Sequence, residues 1–221
     1  MPLFLCEFDI IRPYAFRRQV ILGIVIFVKR EREAGRIVTN AHKFEEVTLS
    51  TKSIYQGKII NVEVQEVKLP NGETSKREIV RHPGAVAVIA IRDGKMLVVD
   101  QYRKPLGRCE VEIPAGKLDP GEDPLDAAKR ELEEETGYKA ENLKLVHSFY
   151  TSPGFADELI HLYFTDQLTK GTLQLDEDEF LENDAITLEE AKAYIAEQRI
   201  SDAKTILAVY VWEQHIQRGQ L

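Results

Sequence analysis

The segment from Gly116 to Tyr138, GKLDPGEDPLDAAKRELEEETGY, joins a glycine-rich turn to a short helix crowded with carboxylates. Proline suits the first turn of a helix, where its missing N–H costs nothing, and glycine is the usual left-handed terminator. Pro124 and Gly137 therefore predict a helix from about Pro124 to Thr136. Its apolar stripe is predicted to face a core and consists of Leu125, Ala128 and Leu132.

Three glutamates of this helix, Glu131, Glu134 and Glu135, are spaced so that their side chains are neighbours on one face. Like charges at such spacings destabilise a helix by about 0.2–0.5 kcal/mol per pair. One interpretation is a glutamate-rich helix that is simply solvated. The other is a compensating cation, and Mg²⁺ suits this place because it takes carboxylate oxygens, waters and substrate phosphate oxygens.

The turn that precedes the helix favours the second interpretation. Fixed offsets separate Gly116, Glu122, Arg130, Glu131, Glu134, Glu135 and Gly137. This pattern resembles the Nudix box of the Nudix hydrolases. Tyr138 departs from it, since an aliphatic residue is usual there, but the position is one of apolar packing and little change in chemistry is expected. The resemblance implies that Arg130 and Glu122 form a structural pair that braces the turn against the helix.

The resemblance also implies which residues hold the metal. Glu131 and Glu135 would be the principal Mg²⁺ ligands, with Mn²⁺ as the alternative ion. Glu134 would be a further ligand or a catalytic residue that holds water, and the carbonyl of Ala115 would also bind a metal. Divalent ions polarise a pyrophosphate and lower the pKa of an attacking water. We expect the Glu131 and Glu135 side chains to face solvent and metal.

In this family the base that takes the proton of the water often lies outside the box, on a late loop. The acidic stretch LDEDEFLEND, residues 175–184, is predicted to be a loop in the right region. Glu179 is the first choice for the base and Glu177 the second. The alternative is that this stretch is only a solvated acidic loop.

Three features resemble the ADP-ribose and ADP-sugar pyrophosphatase branch of the family. Pro153 lies sixteen residues past Gly137, Arg103 in QYRKP is placed for the diphosphate, and Glu112 in EVEIPAG is placed for a ribose hydroxyl. Arg81 is a further substrate-binding candidate. The ordinary alternatives are a loop stiffened by Pro153 and a cross-strand pair of Arg103 and Glu112. The branch implies hydrolysis of ADP-ribose and related ADP-sugars to AMP and ribose 5-phosphate.

Two rival classes of function stay open at this point. The Nudix box recognises a diphosphate and not its substituents. Another nucleoside diphosphate derivative or a nucleoside triphosphate is therefore an alternative substrate. Some Nudix domains only sense nucleotides without cleaving them. The intact set of Glu131, Glu134 and Glu135 argues against a sensor, because a sensor has no need for hydrolytic metals.

Length, net charge and cysteine content limit which domain organisation, binding partners and cellular compartment are expected. A chain of 221 residues with 43% apolar residues is long enough for one catalytic domain with an appendage. Its net charge of −8 argues against a nucleic-acid partner and suits a metal-assisted enzyme for a small nucleotide sugar. Two cysteines, Cys6 and Cys109, make neither a disulfide framework nor a zinc site, which fits a reducing cytoplasm.

Residues 1–43 differ in composition and are predicted to be an N-terminal extension outside the fold. The apolar run VILGIVIFV, residues 20–28, is far shorter than the roughly 20 residues of a bilayer span, so no membrane partner is predicted. A signal or anchor, an extension packed on the domain, and a dispensable appendage such as an over-extended translation start are the three alternatives.

The pattern of the rest of the chain predicts an α/β or α+β layered fold. Strand-like runs at 47–55, 58–69 and 73–82, with a PNG turn at 70–72, predict an antiparallel β subdomain over 44–82. Alternating strands and helices then predict a layered domain over 83–221. This agrees with the α/β/α Nudix sandwich around a mixed sheet. The resemblance implies a homodimer with swapped N-terminal strands that bind adenine between subunits, with Tyr55 or Phe44 as stacking candidates.

Two further helices are predicted near the C-terminus. Thr187 and Glu190 form a capping box before LEEAKAYIAEQ, and Ser201 is predicted to cap the last helix. The only tryptophan, Trp212, is predicted to be a core residue. The core stripe of the last helix is predicted from Ile206, Leu207, Tyr210, Val211 and His215.

Overall fold

The computed structural model of the protein describes residues 43–175 and 180–219. The predicted extension therefore lies outside the described residues except for Lys43. The strands are β1 (Val47–Gln56), β2 (Asn61–Lys68), β3 (Thr74–Arg81), β4 (Ala85–Arg92), β5 (Lys95–Arg103), β6 (Arg108–Glu112), β7 (Ala115–Lys117), β8 (Tyr138–Ala140), β9 (Lys144–Tyr150), β10 (Leu159–Thr165), β11 (Leu168–Lys170) and β12 (Leu181–Ile186). The helices are α1 (Pro124–Thr136), α2 (Leu188–Ala196) and α3 (Ala203–Arg218).

Strands β1, β2 and β3 form a separate antiparallel sheet in that order. The predicted turn between β2 and β3 is present. Gly72 adopts φ 91°, and its N–H donates to the Leu69 carbonyl at 2.9 Å. That backbone conformation is one that glycine reaches without a steric penalty. All ten residues of β1 are exposed, so this strand is an edge that the described residues do not cover.

The larger sheet has seven strands and is mixed. Its main path runs β12-β5-β4-β10-β9, while β6 pairs with β5 and β7 pairs with β4. Strands β4 and β10 are parallel, and the other pairings of this sheet are antiparallel. β4 is therefore central and apolar on both faces. A strand that is covered on both sides reads as a continuous apolar run, as AVAVIAI does.

Alternate residues of β4 enter two different cores. Ala87 and Ile89 belong to a cluster with residues of α2 and α3 that includes the buried Trp212. Val86 and Val88 pack on the other side against Ala128 and Leu132 of α1 and their neighbours. Because successive side chains of a strand point to opposite faces, one sheet separates the two helical layers. The predicted α/β/α fold class and the core position of Trp212 are confirmed.

Helix α1 begins and ends where the sequence predicts. Asp123 is the N-cap, and its carboxylate accepts the Leu125 N–H at 2.8 Å. Gly137 ends the helix in the left-handed conformation with φ 71°. The capping box of α2 is also confirmed, because the Thr187 side chain and the Glu190 side chain each accept the other residue's backbone N–H.

The predicted cap of α3 is wrong by one residue. Asp202 is the N-cap, and its carboxylate accepts the Thr205 N–H at 2.9 Å. Ser201 instead donates its hydroxyl to the buried Glu110 of β6 at 2.8 Å. Both residue types are good caps, and a contact with a distant strand decided between them. No helix in residues 43–175 and 180–219 has the length and hydropathy that crossing a bilayer requires.

Two other predictions need correction. The acidic stretch does not stay irregular up to Asp184, because Leu181 already opens β12 opposite Gln101 of β5. The polar residues Glu182, Asn183 and Asp184 of β12 are exposed, so this part of the strand has no apolar pattern to reveal it. Tyr210 is exposed rather than core. The pair β8–β11 was not predicted, because each strand has only three paired residues, too few to show a period.

Candidate active site

The turn before α1 is held closed by Glu122. The Glu122 N–H donates to the Asp119 carbonyl at 3.0 Å, and the Asp119 N–H donates to the Glu122 carboxylate at 3.1 Å. Arg130 donates from Nε and Nη2 to the two oxygens of Glu122, both at 2.9 Å. The predicted brace between turn and helix is therefore present. The hydrogen bond from Arg130 lowers the pKa of Glu122 below its ordinary value.

Arg130 also gathers two of the clustered glutamates. Its Nη1 donates to Glu131 Oε1 at 2.9 Å and to Glu134 Oε2 at 3.0 Å. The bond to Glu122 and the neighbouring carboxylates raise the pKa of Arg130 above its ordinary value. One cation thus offsets the repulsion that the helical spacing creates, and the two carboxylates approach a single nitrogen atom.

Gly116 on β7 makes room for Glu131. A Cβ added at Gly116 would lie 1.9 Å from the Glu131 carboxyl carbon and 2.0 and 2.3 Å from its oxygens. No side chain fits in that space while Glu131 keeps this position, so the Glu131 carboxylate lies directly over the backbone of β7. The glycine of the motif is required here for this close approach rather than for a positive φ.

Glu135 is buried, at 3% exposure, and its Oε2 accepts the Ala115 N–H at 2.9 Å. The expectation that its side chain faces solvent is wrong. Ala128, Leu132 and Glu135 are spaced at i, i+4 and i+7, so this glutamate continues the buried stripe of α1. Its hydrogen bond to Ala115 satisfies one carboxylate oxygen and ties the helix to β7.

The donor chemistry of this face fits Mg²⁺. Glu131, Glu134 and Glu135 supply only carboxylate oxygens beside the backbone of Ala115, and oxygen ligands are those that Mg²⁺ prefers. In the part of the chain that the structure describes, no three His, Cys, Asp or Glu side chains are gathered as a ready metal cluster. The cation beside Glu131 and Glu134 is Arg130.

Arg103 of β5 and Glu112 of β6 form an ion pair between neighbouring strands, the alternative that the sequence left open, although Glu112 lies opposite Val99 in the register. Arg103 Nε and Nη2 donate to Glu112 Oε1 and Oε2 at 2.5 and 2.8 Å. Glu112 is only 3% exposed, and its Oε2 also accepts from Lys204 of α3. Burial alone raises the pKa of Glu112, but Arg103 and Lys204 outweigh it and the net pKa is lowered. A direct contact of Glu112 with ribose stays a prediction.

Arg103 links this pair to the carboxylate face. The hydrogen bond to Glu112 raises the pKa of Arg103, and the negative charge of Glu135 acts in the same direction. The guanidinium is therefore influenced by a carboxylate of α1, and its side chain is 38% exposed. Sequence reasoning missed Lys204. The available signal was a lysine in the first turn of a predicted helix, where the helix dipole opposes a cation.

Arg81 connects the small sheet to the loop that contains Pro153. Its guanidinium donates to Asp157 at 2.9 Å and to Glu63 at 2.8 Å. These bonds, first that to Asp157, raise the pKa of Arg81. The loop is also held by backbone bonds, since the Val80 N–H donates to the Phe155 carbonyl at 2.8 Å. Pro153 itself is exposed on this docked loop.

The two candidates for the base, Glu177 and Glu179, lie outside the described residues. Of the residues that flank them, Phe180 is exposed. Their assignment therefore stays a prediction.

A family model described as the NUDIX domain matches residues 80–208. The chain belongs to the Nudix family. A second model, described as the nucleoside diphosphate sugar hydrolase N-terminal domain, matches residues 46–80, which cover most of β1 to β3. The predicted family is confirmed, and the protein is a Nudix hydrolase, a class of enzymes that uses a divalent metal ion.

Two relatives of this Nudix hydrolase are similar over most of their lengths. The methanol dehydrogenase activator of Bacillus methanolicus is 58% identical over 169 residues, which are 75% of this chain and 91% of that protein. The ADP-ribose pyrophosphatase of Bacillus subtilis (strain 168) is 52% identical over 168 residues, with the same coverage of 75% and 91%.

A solved structure titled "Crystal structure of ADP compounds hydrolase" has the same fold. It superposes with a TM-score of 0.71 at 22% sequence identity and covers 80% of this chain and 97% of its own. At that identity the likeness concerns the architecture. The mixed sheet between helical layers is therefore the Nudix sandwich that the sequence predicted.

Proposed function

We propose that this Nudix hydrolase cleaves ADP-ribose and related ADP-sugars to AMP and the sugar phosphate, ribose 5-phosphate in the case of ADP-ribose. The observation that carries the proposal is the bidentate pair of Arg103 with the buried Glu112, which holds a partly exposed guanidinium in place. A diphosphate needs cationic donors on one side and metal-binding carboxylates on the other.

The comparisons support a nucleotide sugar as the substrate. One relative at 52% identity is named an ADP-ribose pyrophosphatase, and 91% of its length is covered. The sheet β1–β3 matches a model described for hydrolases of nucleoside diphosphate sugars. Arg81 ties that sheet to the Pro153 loop through Asp157, so the elements that we propose to select the sugar form one docked unit.

The protein's own residues have distinct roles in this proposal. Mg²⁺, or Mn²⁺ in its place, would be held by Glu131, Glu135, Glu134 and the Ala115 carbonyl, and it supplies charge neutralisation and an acidified water. Arg103 binds the diphosphate through its planar set of N–H donors. Arg130 keeps Glu131 and Glu134 on the same face of α1.

The remaining step is proton removal from the attacking water. We propose Glu179 as the base and Glu177 as the second choice, with Glu134 holding water at the site. A carboxylate within hydrogen-bond distance of the water can take its proton as a general base. The free and exposed thiol of Cys109 suits the reducing cytoplasm that we propose as the compartment.

ADP-ribose is expected to be the best substrate in a panel with ADP-glucose, dATP and GTP. We expect kcat/KM for ADP-ribose to exceed that for either triphosphate by roughly tenfold to a few hundredfold, because a site built for a polar terminal group rejects analogues that leave its polar groups unpaired. Initial rates with Mg²⁺ and chromatographic identification of AMP and ribose 5-phosphate provide the measurement.

Protein carrying Glu131→Gln and purified in the same way controls for contaminating hydrolases. A triphosphate with the highest kcat/KM would refute the ADP-sugar assignment and leave the Nudix chemistry in place. Absence of turnover with every member of the panel would favour the nucleotide-sensing alternative.

A second candidate function is activation of an alcohol dehydrogenase. It is favoured by the 58% identity with the methanol dehydrogenase activator of Bacillus methanolicus. The two functions are separated by assaying a purified methanol dehydrogenase with and without this protein, alongside ADP-ribose hydrolysis by the same preparation. Stimulation that survives in the Glu131→Gln protein would show that activation does not require the metal-binding face.

We propose that two chains form a homodimer in which strands of the small sheet cross to the partner. The edge strand β1 is exposed along its whole length and carries the apolar residues Val47, Leu49, Ile54 and Tyr55. A long apolar edge strand is a liability in an isolated protein and gains stability by packing against another surface. A twofold dimer is the commonest arrangement that provides such a surface.

Light scattering at micromolar concentration is expected to give twice the 25.2 kDa mass of the chain. The double variant Leu49→Glu/Ile54→Glu is expected to shift the mass towards one chain, because it adds two like charges to β1. Leu145→Glu, which alters an exposed leucine on the edge strand β9, is the matched control and should remain dimeric. A wild-type mass of one chain would contradict the proposal.

A further inference from the structure

Two buried glutamates of β6 are neutralised in different ways. Glu110 accepts the N–H and the hydroxyl of Ser201, at 3.0 and 2.8 Å, and pairs with Arg108 at 2.6 Å. Glu112 pairs with Arg103 but also receives a second cation, Lys204, from the first turn of α3. Each glutamate thus pairs with one arginine, but the second partner of Glu110 is the neutral Ser201, whereas the second partner of Glu112 is the positively charged Lys204.

Lys204 is in an unusual place for a lysine. Its side chain is only 11% exposed, and it lies one residue after the start of α3, where the helix dipole disfavours a cation. The N-cap Asp202 reduces this cost, because its Oδ2 lies 3.1 Å from Lys204 Nζ while it also accepts the Thr205 N–H. Helix stability does not explain a lysine at this position, but its ion pair with the buried carboxylate of Glu112 does.

The four side chains form a balanced cluster. Arg103 and Lys204 carry two positive charges, and Glu112 and Asp202 carry two negative charges. Removing Lys204 would leave a net negative charge beside Arg103. In that case Glu112, with no other cation beside it in the cluster, would hold the guanidinium more strongly, and the excess negative charge would oppose an incoming anion.

We propose that Lys204 is a positioning residue for substrate binding: by neutralising Glu112 from the side of α3, it leaves the outer edge of Arg103 available to a diphosphate. The inference rests on the proposed contact of Arg103 with the substrate diphosphate. Arg103 uses Nε and Nη2 for Glu112, which leaves Nη1 outside this pair, and its side chain is 38% exposed. Lys204 itself is too buried to be the primary phosphate ligand.

Replacing Lys204 by Met is expected to raise KM for ADP-ribose about tenfold and to change kcat by less than about threefold, because the residue acts on binding and not on the metal face. Lys204→Arg keeps the charge and is expected to stay near wild type. Lys192→Met is the matched control, since it removes a lysine that pairs with Glu213 between α2 and α3, away from Glu112. Equal KM values for the Lys204→Met and wild-type proteins would overturn the proposal.

A binding measurement separates this inference from the proposed function. Calorimetry of inorganic pyrophosphate with the protein in buffer that contains no divalent ion is expected to show Kd about tenfold higher for Lys204→Met than for wild type. This difference does not require ADP-ribose to be the substrate, so a protein that fails to cleave ADP-ribose can still support the role of Lys204. Identical Kd values, or no pyrophosphate binding by wild type, would refute it.

The double variant Glu112→Gln/Lys204→Met keeps the test informative if Lys204→Met alone does not fold. It removes one charge of each sign and leaves Arg103 with the neutral amide oxygen of the glutamine side chain as an acceptor and the negative charge of the nearby Asp202. We expect its pyrophosphate Kd to match that of the single variant Glu112→Gln within about threefold, because Lys204 acts through Glu112. A large further loss in the double variant would mean that Lys204 acts independently of Glu112 and would contradict the proposal.

Discussion

Replacing Glu131 or Glu135 by Gln is expected to lower kcat by at least about 100-fold, since each change removes a charged oxygen from the proposed metal-binding face. In the Glu131→Gln protein, the ion pair with Arg130 Nη1 is lost, while the glutamine carbonyl oxygen can still accept a hydrogen bond from it. Glu135 is buried, but the glutamine side chain of the Glu135→Gln protein retains a carbonyl oxygen that can accept the Ala115 N–H. Folding should therefore survive in both variants, which circular dichroism and thermal unfolding check.

Glu133→Gln is the matched control for this pair of variants. Glu133 lies on the same helix, but it pairs with Lys139 at 3.1 Å and accepts the Thr172 N–H at 3.1 Å, away from Arg130. Its replacement should leave kcat within about threefold of wild type. A folded Glu131→Gln or Glu135→Gln protein with near-native turnover would remove the metal assignment of that residue.

Gly116→Ala is expected to preserve the fold and to lower kcat by about 100-fold. The added methyl group would meet the Glu131 carboxyl carbon at 1.9 Å, and the side chain that must move is flexible at its end. The carboxylate is therefore displaced from the turn while the backbone stays in place. A displacement of about 1 Å in an active site can cost about 100-fold in rate. Activity and unfolding temperature, measured on the same preparation, test both parts of this expectation.

The mechanism predicts that this effect depends on Glu131. In the Glu131→Gln background, Gly116→Ala should lower kcat by little more, because the carboxylate that it displaces is already lost. Gly94→Asn in the turn between β4 and β5 is the control for a glycine substitution as such, since Gly94 has open space around it and Asn tolerates its φ of 75°. Unchanged kcat in Gly116→Ala would show that the position of Glu131 over β7 is not needed.

Local signals were read correctly from the sequence where neighbours along the chain decide the structure. The ends of α1 at Pro124 and Thr136 follow from a proline at the start and Gly137 at the end. The capping box of Thr187 and Glu190 is a local exchange of hydrogen bonds across three residues. The burial of Glu135 also follows from its spacing to Ala128 and Leu132. The like charges on the helix had favoured a solvent-facing side chain instead.

Long-range pairing decided what the sequence pattern left open. Ser201 and Asp202 are both good caps, and the choice of Asp202 depends on Glu110, which is 91 positions away from Ser201 in the chain. The bond from Lys204 to Glu112 spans 92 positions, and no local rule connects these two residues. The short strands β8 and β11 exist because they pair with each other.

The sequence by itself therefore determined the Nudix box, the helix that carries it and the layered arrangement of helices on a sheet, because motif spacing, capping, helical spacing and strand period act over a few residues. Only the tertiary structure decided the surroundings of that motif: which charge neutralises Glu112, where Arg81 anchors the Pro153 loop, and how closely Glu131 approaches Gly116. These contacts form between distant segments after the sheet has brought them together, and their partners are selected by burial and geometry rather than by neighbours in the chain.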